Sequence, residues 1–181
     1  MNERPLVFIT TRLPPATCGI GNYSWILREH WPGERRPIEF LVVDNADDKR
    51  TTPLGDRITT SANTRTQLAR ELDRVGAADV FLHYAGRAFQ RFGFPFWMVA
   101  ALREWKRNFP NGRLVVYFHE LPGEFPIASR HHWLSKLSSA VAARIGRLAD
   151  VLITNSEHHA AKLRALAGRA DIHLIPIGAT V

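Results

Sequence analysis

The chain has only one cysteine among its 181 residues, Cys18, so an intramolecular disulfide is excluded. Its cysteine content therefore gives no indication of an oxidising compartment. No apolar run approaches the roughly 18–20 residues that a membrane-spanning helix needs. The N-terminal segment "RPLVFIT" is too short for the core of a signal peptide, and no small-residue cleavage site follows it. We therefore expect a soluble, cytoplasmic domain.

Positive charge is in excess, with 24 Lys and Arg against 17 Asp and Glu and a net charge of +7. This balance favours acidic partners such as phosphorylated ligands, anionic lipid surfaces or nucleic acid. The basic residues are spread along the chain and no groove-entering motif accompanies them, so we expect no nucleic-acid partner. With 45% apolar residues, the chain can form the core of about one domain.

Short β-branched runs alternate with helical patterns along the chain. Several runs are continuously apolar, which is typical of parallel strands buried on both faces. We predict strands at Leu6–Thr10, Ile38–Val43, Asp79–Tyr84, Arg113–His119, Val151–Thr154 and Ile172–Ile175, and either an edge strand or a loop at Arg57–Thr60. The alternation predicts an α/β fold, a doubly wound and mostly parallel Rossmann-like sheet with helices on both faces.

The segments between the strands carry apolar residues at helical spacing. We predict helices over Asn63–Val75, Phe94–Phe109 and Trp133–Leu148, and a last helix that begins near Ser156 and is capped by its hydroxyl. Leu137 belongs to the apolar stripe of the third helix. The aromatic stripe of Phe94–Phe109 could lie on a membrane surface, but packing against the sheet is the simpler interpretation.

Three polar or Gly/Pro-rich segments follow predicted strands: Thr11–Asn22, Glu120–Arg130 and Asn155–His158. In an open parallel α/β sheet, ligands bind outside the carboxyl ends of the strands. We therefore expect the functional site where these three segments meet.

The first segment contains a partial G-x-G-x-x-G pattern, with Gly19 and Gly21 followed by Ser24 in the third place. Asp44, which ends the second predicted strand, could supply the carboxylate of a ribose-binding site. In dinucleotide-binding folds, however, the glycines turn directly off the first strand, whereas eight residues intervene here. Since Pro14 and Pro15 disfavour helix, we expect them to run extended.

The glycines are then expected to open the first helix on a projecting loop, with N–H groups available for an anion or a sugar phosphate. A plain helix start with flexible glycines is the alternative interpretation.

His119 and Glu120 stand where the fourth main strand is predicted to leave the sheet. A histidine at this place could donate a hydrogen bond to a sugar hydroxyl or phosphate, and the alternative is a buried histidine bonded to backbone. The zinc-protease pattern H-E-x-x-H is excluded because Gly123 stands where the second His would be. The adjacent pairs His131-His132 and His158-His159 would face different directions on a helix. We expect no metal and no bound cofactor.

Four signatures follow one another in order: "LPPATCGIGNYSWIL", "VVYFHE", "ADVLITNSEHHAAKL" and "IHLIPIGATV". Together they resemble the N-terminal half of a GT-B-fold glycosyltransferase of the retaining family 4, or group 1, type. The resemblance covers essentially the whole chain. No single motif is specific, and the order and spacing of the four carry the resemblance.

The resemblance implies two Rossmann-like domains that face each other across a cleft, without a catalytic metal. The N-terminal domain mainly binds the acceptor, and the C-terminal domain holds the nucleotide-sugar donor. The strand-end His119 is then the catalytic residue that contacts the donor sugar. Residues expected to bind the substrate or the donor phosphate are Gly19, Ile20, Gly21, Asn22, Glu120, Asn155, Ser156 and Glu157. The loop that carries the glycines would have to cross the cleft between the domains.

One departure from the family pattern is large, because no two glutamates are eight positions apart as the E-x7-E pair of the donor-binding half requires. We therefore expect residues 1–175 to form the N-terminal domain and 176–181 to begin an interdomain linker, with the C-terminal donor-binding domain absent. Catalysis by this chain alone is not expected. The expected partners are a nucleotide-sugar donor, a sugar or lipid-linked acceptor, the donor-binding domain, and the inner face of a membrane as a peripheral contact.

Two other functional classes stay open at this point. An NAD-type Rossmann oxidoreductase domain is supported by Gly19, Gly21 and Asp44, and is opposed by the eight-residue insertion. A non-catalytic sugar- or phosphate-binding module is supported by the missing donor-binding half.

Overall fold

A computed structural model of the chain describes residues 4–31, 36–44 and 55–176. The strands are β1 (Leu6–Thr10), β2 (Ile38–Val43), β3 (Arg57–Ser61), β4 (Asp79–Tyr84), β5 (Arg113–Phe118), β6 (Val151–Thr154) and β7 (Ile172–Leu174). The helices are α1 (Gly19–Glu29), α2 (Arg65–Val75), the short α3 (Gly86–Phe89), α4 (Phe96–Asn108), α5 (Arg130–Leu148) and α6 (Glu157–Ala167). Of the predicted linker start, only Pro176 lies within the described residues.

All seven strands run parallel in one sheet of order β3-β2-β1-β4-β5-β6-β7. The predicted α/β, Rossmann-like fold is thereby confirmed. The weakest strand candidate proves to be the edge strand β3, which pairs with β2 so that Ile58 lies beside Phe40 and Ser61 beside Val43. Burial of Ile58 against the sheet, together with the preference of β-branched threonine for strands, explains why this segment forms a strand.

Each face of the sheet has its own core, because successive side chains of a strand point to opposite faces. Val7 and Ile9 of β1 face the core formed with α2, α4, α5 and α6. Phe8 of the same strand faces the second core, where Trp25 and Leu27 of α1 cover it. Helices therefore lie on both faces, as predicted.

Capping side chains determine where three of the helices begin. α2 begins after Thr64, whose hydroxyl accepts from the Gln67 N–H, and α6 begins after Ser156, whose hydroxyl accepts from the His159 N–H at 3.2 Å. The cap predicted at Ser156 is confirmed. α5 begins three residues earlier than predicted because Ser129 caps it by accepting from the His131 N–H.

The aromatic stripe of α4 packs inward. Met98, Ala101 and Trp105 are fully buried, and the Trp105 indole N–H donates to the Gly76 carbonyl at 2.9 Å. The interpretation of this stripe as a core face is confirmed. The stripe predicted for α5 is only partly right: Val141 is buried, but Leu137 is 42% exposed, because no described element covers that part of the helix.

None of the helices in the described ranges combines the length and apolar content that crossing a bilayer requires.

Candidate functional site

The site is built at the carboxyl edge of the sheet, where the strand order reverses. β1 lies between β2 and β4, so the chain moves outward to β3 on one side and to β7 on the other. The loops that follow β1 and β4 separate at this point and leave a crevice between them, which is where open parallel sheets bind ligands.

Two histidines meet at this edge, on the α1 face of the sheet. His83 is the last but one residue of β4, and His119 follows the end of β5 directly. The Nδ1 atom of His83 lies 3.0 Å from the Nε2 atom of His119, so one hydrogen bond joins the two imidazoles. His83 is fully buried and His119 is half-buried. β5 is thus one residue shorter than predicted, and His119 stands at the exit of the strand.

Burial keeps both imidazoles neutral. It lowers the pKa of His119 to about 4, because the charged form would lose its hydration. Burial also lowers the pKa of His83 well below its ordinary value, with a smaller contribution from the neighbouring His119. At neutral pH, His119 therefore acts as an uncharged group that can donate from one nitrogen and accept at the other.

The hydrogen bond between the two rings decides which nitrogen of His119 carries its proton. The Nε2 atom of His83 is buried and has no hydrogen-bond partner among the described residues. A buried N–H without an acceptor is rarer in proteins than a buried acceptor without a donor, so we assign the His83 proton to Nδ1. His83 then donates to Nε2 of His119, which leaves the His119 proton on Nδ1.

Aromatic rings hold the pair in place. Tyr23 of α1 meets both histidines edge-on, at ring-centre distances of 5.5 Å to His83 and 5.3 Å to His119. Tyr117 stacks on His119 at 4.4 Å, and Phe81 stacks on His83 at 4.8 Å. Because Tyr23 follows Asn22 in the first turns of α1, these contacts bring His119 beside the start of that helix.

The start of α1 keeps its first N–H groups unused by side chains. The first backbone bond of the helix runs from the Asn22 N–H to the Cys18 carbonyl at 2.8 Å, and no side chain caps the helix. Gly19 and Asn22 are exposed, Ile20 is half-buried and Gly21 is buried. Such a helix end carries partial positive charge and suits an anion.

The loop between β1 and α1 does not project as predicted. The Ala16 N–H donates to the Leu13 carbonyl at 3.1 Å, so the chain turns here instead of running extended. The Pro14-Pro15 peptide is cis. Leu13 is buried in the core beneath α1. The predictions of an extended diproline and a projecting loop were therefore wrong, because burial of one leucine folds the loop back onto the domain.

The folded-back loop packs directly on Gly21. A Cβ atom at Gly21 would lie 1.7 Å from the carbonyl oxygen of Arg12, whereas a Cβ atom at Gly19 would meet nothing within 4 Å. The second glycine is thus required by close backbone approach. It is not a glycine whose only role is flexibility.

The segment after β6 contacts the His119 region through Asn155. The Asn155 amide donates to the His119 carbonyl at 3.3 Å, and its oxygen lies 2.9 Å from Nδ1 of His159. Ser156 is occupied as the cap of α6, and Glu157 is paired with Arg164 at 2.6 Å. The structure therefore places Asn155 against His119, whereas Ser156 and Glu157 have structural partners in α6.

Glu120 follows His119 and is exposed at the same edge. Burial lowers the pKa of His159, with smaller contributions from the neighbouring His158 and Lys162, and Glu120 partly opposes this shift. Glu120 therefore lies close enough to His159 to act on its charge.

A cleft of about 340 Å³ opens between the loops that follow β1 and β4, and neither histidine lines it. It is lined by Thr11, Arg12, Thr17, Cys18, Val43, Asp44, Asn63, Arg87, Ala88, Phe89, Gln90 and Arg91. The amide oxygens of Asn63 and Gln90 are buried without a hydrogen-bond partner among the described residues. Asp44 is bound by Arg12 at 2.7 Å. The walls of the cleft thus carry polar side chains and several arginines.

Sequence reasoning missed His83, Tyr23, Asn63 and Gln90. A signal for His83 was present, because a histidine within the otherwise apolar run "DVFLHY" must be buried and must find a partner. The cleft residues carry no comparable signal, since they lie in separate segments that only the fold brings together.

Within the described ranges, no three His, Cys, Asp or Glu side chains come together as a metal site. No protein-family model matches the chain, and a search of curated proteins finds no match.

Proposed function

We propose that this chain is the acceptor-side half of a two-domain, metal-independent retaining glycosyltransferase, which transfers a sugar from a nucleotide-sugar donor across an interdomain cleft. The observation that carries the proposal is the neutral His119, fixed by His83 beside the uncapped start of α1 at the carboxyl edge of the sheet. A second domain supplies most of the donor site.

The chemistry of the edge suits a sugar diphosphate. The N–H groups at Gly19 and Ile20, with the positive end of α1, would receive negative charge that develops on the departing diphosphate. The Nδ1–H of His119 would donate to a sugar oxygen. Because the pKa of His119 is about 4, this donor stays uncharged across the neutral range. It therefore does not form an ion pair with the phosphate and remains available to the sugar.

The cleft between the loops that follow β1 and β4 suits the acceptor. Its walls include the polar side chains of Thr11, Thr17 and Asn63, which can exchange hydrogen bonds with sugar hydroxyls. Arg87 and Arg91 on the same wall favour an acceptor that carries negative charge, such as a phosphate or carboxylate.

Two observations oppose the oxidoreductase alternative. Asp44, which would have to bind the ribose hydroxyls, is engaged by Arg12. The backbone that approaches Gly21 belongs to the chain itself, whereas a dinucleotide site keeps that space for the pyrophosphate. A non-catalytic sugar- or phosphate-binding module remains the second candidate, because the same edge could bind ligand without a second domain.

Saturation-transfer NMR on the 181-residue chain tests the proposal. The ligands are UDP-glucose, GDP-mannose and NADH, each at millimolar concentration. We expect transfer to the diphosphate-sugars and loss of transfer to their sugar protons in His119→Ala, with no loss in His173→Ala, a change at an exposed histidine of β7.

Transfer to NADH alone would favour the oxidoreductase reading and overturn the proposal. So would equal transfer to the sugar protons in both variants, because His119 would then take no part in sugar binding.

A further inference from the structure

The side chain of Tyr117 joins the histidine pair to the segment that follows β7. Tyr117 is the last but one residue of β5, and its ring lies on the α1 face of the sheet, edge-on to Tyr23 at 5.6 Å. The ring stacks on the His119 imidazole, with 4.4 Å between the ring centres and 28° between the planes. At the far end of the same ring, the hydroxyl donates to the Ile175 carbonyl at 2.6 Å. One rigid side chain therefore contacts both His119 and Ile175.

The segment at Ile175 has few other attachments among the described residues. It follows the edge strand β7, which has only three residues. The side chains of Leu174 and Ile175 are each 47% exposed, so little apolar burial holds them to the domain. The Ile175 N–H donates to the Thr154 carbonyl at 2.9 Å. Short edge elements with exposed side chains open locally at low cost, so the hydrogen bond from Tyr117 is important for the position of Ile175.

The Tyr117 hydroxyl is suited to hold this bond permanently. Burial raises its pKa, and the neighbouring Tyr23 adds to the shift, so the phenol stays protonated and remains a donor. Tyr117 is buried, so bulk water does not compete for the hydroxyl. Because the hydroxyl lies on the axis of a rigid ring, it cannot follow a displaced carbonyl unless the ring also moves against the imidazole.

We propose that Tyr117 is a positioning residue that couples the segment after β7 to His119. A displacement of the Ile175 carbonyl draws the hydroxyl with it, tilts the ring and changes the environment of the imidazole. Tyr23 packs edge-on against both Tyr117 and His119, at 5.6 and 5.3 Å, so the tilt also acts on the imidazole through Tyr23.

The role of this coupling in catalysis rests on the proposed function, in which a donor-binding domain follows the segment. Movement of that domain would then reach His119 through the hydroxyl of Tyr117. The coupling itself is a property of the 181-residue chain and can be measured without a second domain and without a ligand.

NMR spectroscopy of the chain with Tyr117→Phe tests the coupling. This change keeps the ring and removes the hydroxyl, so hydrogen exchange of the Ile175 amide should become about fivefold faster. The imidazole ¹H and ¹⁵N signals of His119 should shift as well. Phenylalanine and tyrosine rings act similarly on neighbouring nuclei, so a shift of these signals reports that the hydroxyl had set the position of the ring.

Ile175→Pro perturbs the same link from the other side. It removes the N–H that bonds to Thr154 and leaves Tyr117 unchanged. The His119 signals should shift in the same direction as in Tyr117→Phe. The double variant should show no larger shift than the single variants, because both changes break one link.

Tyr84→Phe and Leu174→Ala are the matched controls. Tyr84 is buried on the opposite face of the sheet and loses the same hydroxyl. Leu174→Ala shortens an exposed side chain beside Ile175 and leaves the backbone bonds in place. Neither control should shift the His119 signals, and thermal melts should show all variants folded.

Faster exchange at Ile175 with unmoved His119 signals would overturn the proposal, because Tyr117 would then only hold the edge of the sheet. A shift in Tyr117→Phe that Ile175→Pro does not reproduce would also overturn it, as would an equal shift in Tyr84→Phe. Failure of sugar binding in the saturation-transfer experiment would count against the proposed function and would leave this coupling intact.

Discussion

Replacing Gly21 with alanine should destabilise the fold, because the loop after β1 packs directly on this residue. The new Cβ atom would lie 1.7 Å from the Arg12 carbonyl oxygen and 2.7 Å from its carbon. Carbon–oxygen contacts normally begin near ~3.3 Å, so the loop would have to move by roughly 1.5 Å. Both clashing atoms belong to the backbone and cannot rotate away.

The expected cost follows from this overlap. Overpacking a well-packed site costs typically about 1–3 kcal/mol, and the rigid neighbour places Gly21→Ala at or above the upper end, about 3 kcal/mol. For a domain of this size, each kcal/mol lowers the melting temperature by about 2–4 °C. Thermal unfolding followed by circular dichroism should therefore show a decrease of about 6–12 °C.

Gly19→Ala is the matched control in the same turn of α1. Its Cβ atom would meet nothing within 4 Å, and alanine favours helix over glycine by up to about 1 kcal/mol. Its melting temperature should therefore stay level or rise slightly. If the melting temperatures of the two variants lie within about 2 °C of each other, the loop after β1 does not pack on Gly21 as described, and packing does not explain the glycine at this position.

Further predictions concern the histidine pair and the cap of α6. Since the pKa of His119 is lowered from 6.5 to about 4 in the folded chain, the unfolded chain binds more protons between these values. The free energy of unfolding should therefore be unaffected by this group above pH 6.5 and should fall by about 3 kcal/mol as the pH is lowered to 4. Urea titrations of His119→Ala should show a smaller fall, and a fall as large as in the unchanged chain would contradict the assigned pKa. His83→Phe keeps a ring between its neighbours but removes the bond to His119, so imidazole ¹⁵N NMR should show the His119 proton redistributed between its nitrogens; an unchanged spectrum would contradict the assigned tautomer. Ser156→Ala should cost about 1 kcal/mol through loss of the cap, and Ser139→Ala, inside α5, should cost nothing; equal melting temperatures would argue against the cap.

Most of the sheet could be predicted from the sequence because several of its strands are continuous apolar runs, which is typical of buried parallel strands. The turn at Pro14-Pro15 could not, since it depends on burial of Leu13 beneath α1 and on the hydrogen bond that the Ala16 N–H donates to the Leu13 carbonyl. Periodicity places Leu137 on the apolar side of α5, but it does not reveal whether another element covers that side.

Some residues of the candidate site could likewise be predicted from the sequence, and others could not. His119 could be found because strand exits lie at the ligand-binding edge of a parallel sheet. Its partner His83 and the cleft residues Asn63 and Gln90 acquire meaning only through contacts between segments that are distant in sequence. The capping role of Ser156 was readable locally, because a cap depends on the residues next to it.

Nucleotide-sugar turnover tests most directly whether this chain is one wall of a glycosyl-transfer cleft. The assay measures nucleoside diphosphate released from UDP-, GDP- and ADP-linked sugars with a pool of oligosaccharide and lipid-linked acceptors. It compares the 181-residue chain with a polypeptide in which a donor-binding domain follows it. Because donor and acceptor must be held together, only the longer polypeptide should turn over, and His119→Ala should slow it about 100-fold. Comparable turnover by the short chain, or full turnover by the longer His119→Ala variant, would contradict the account.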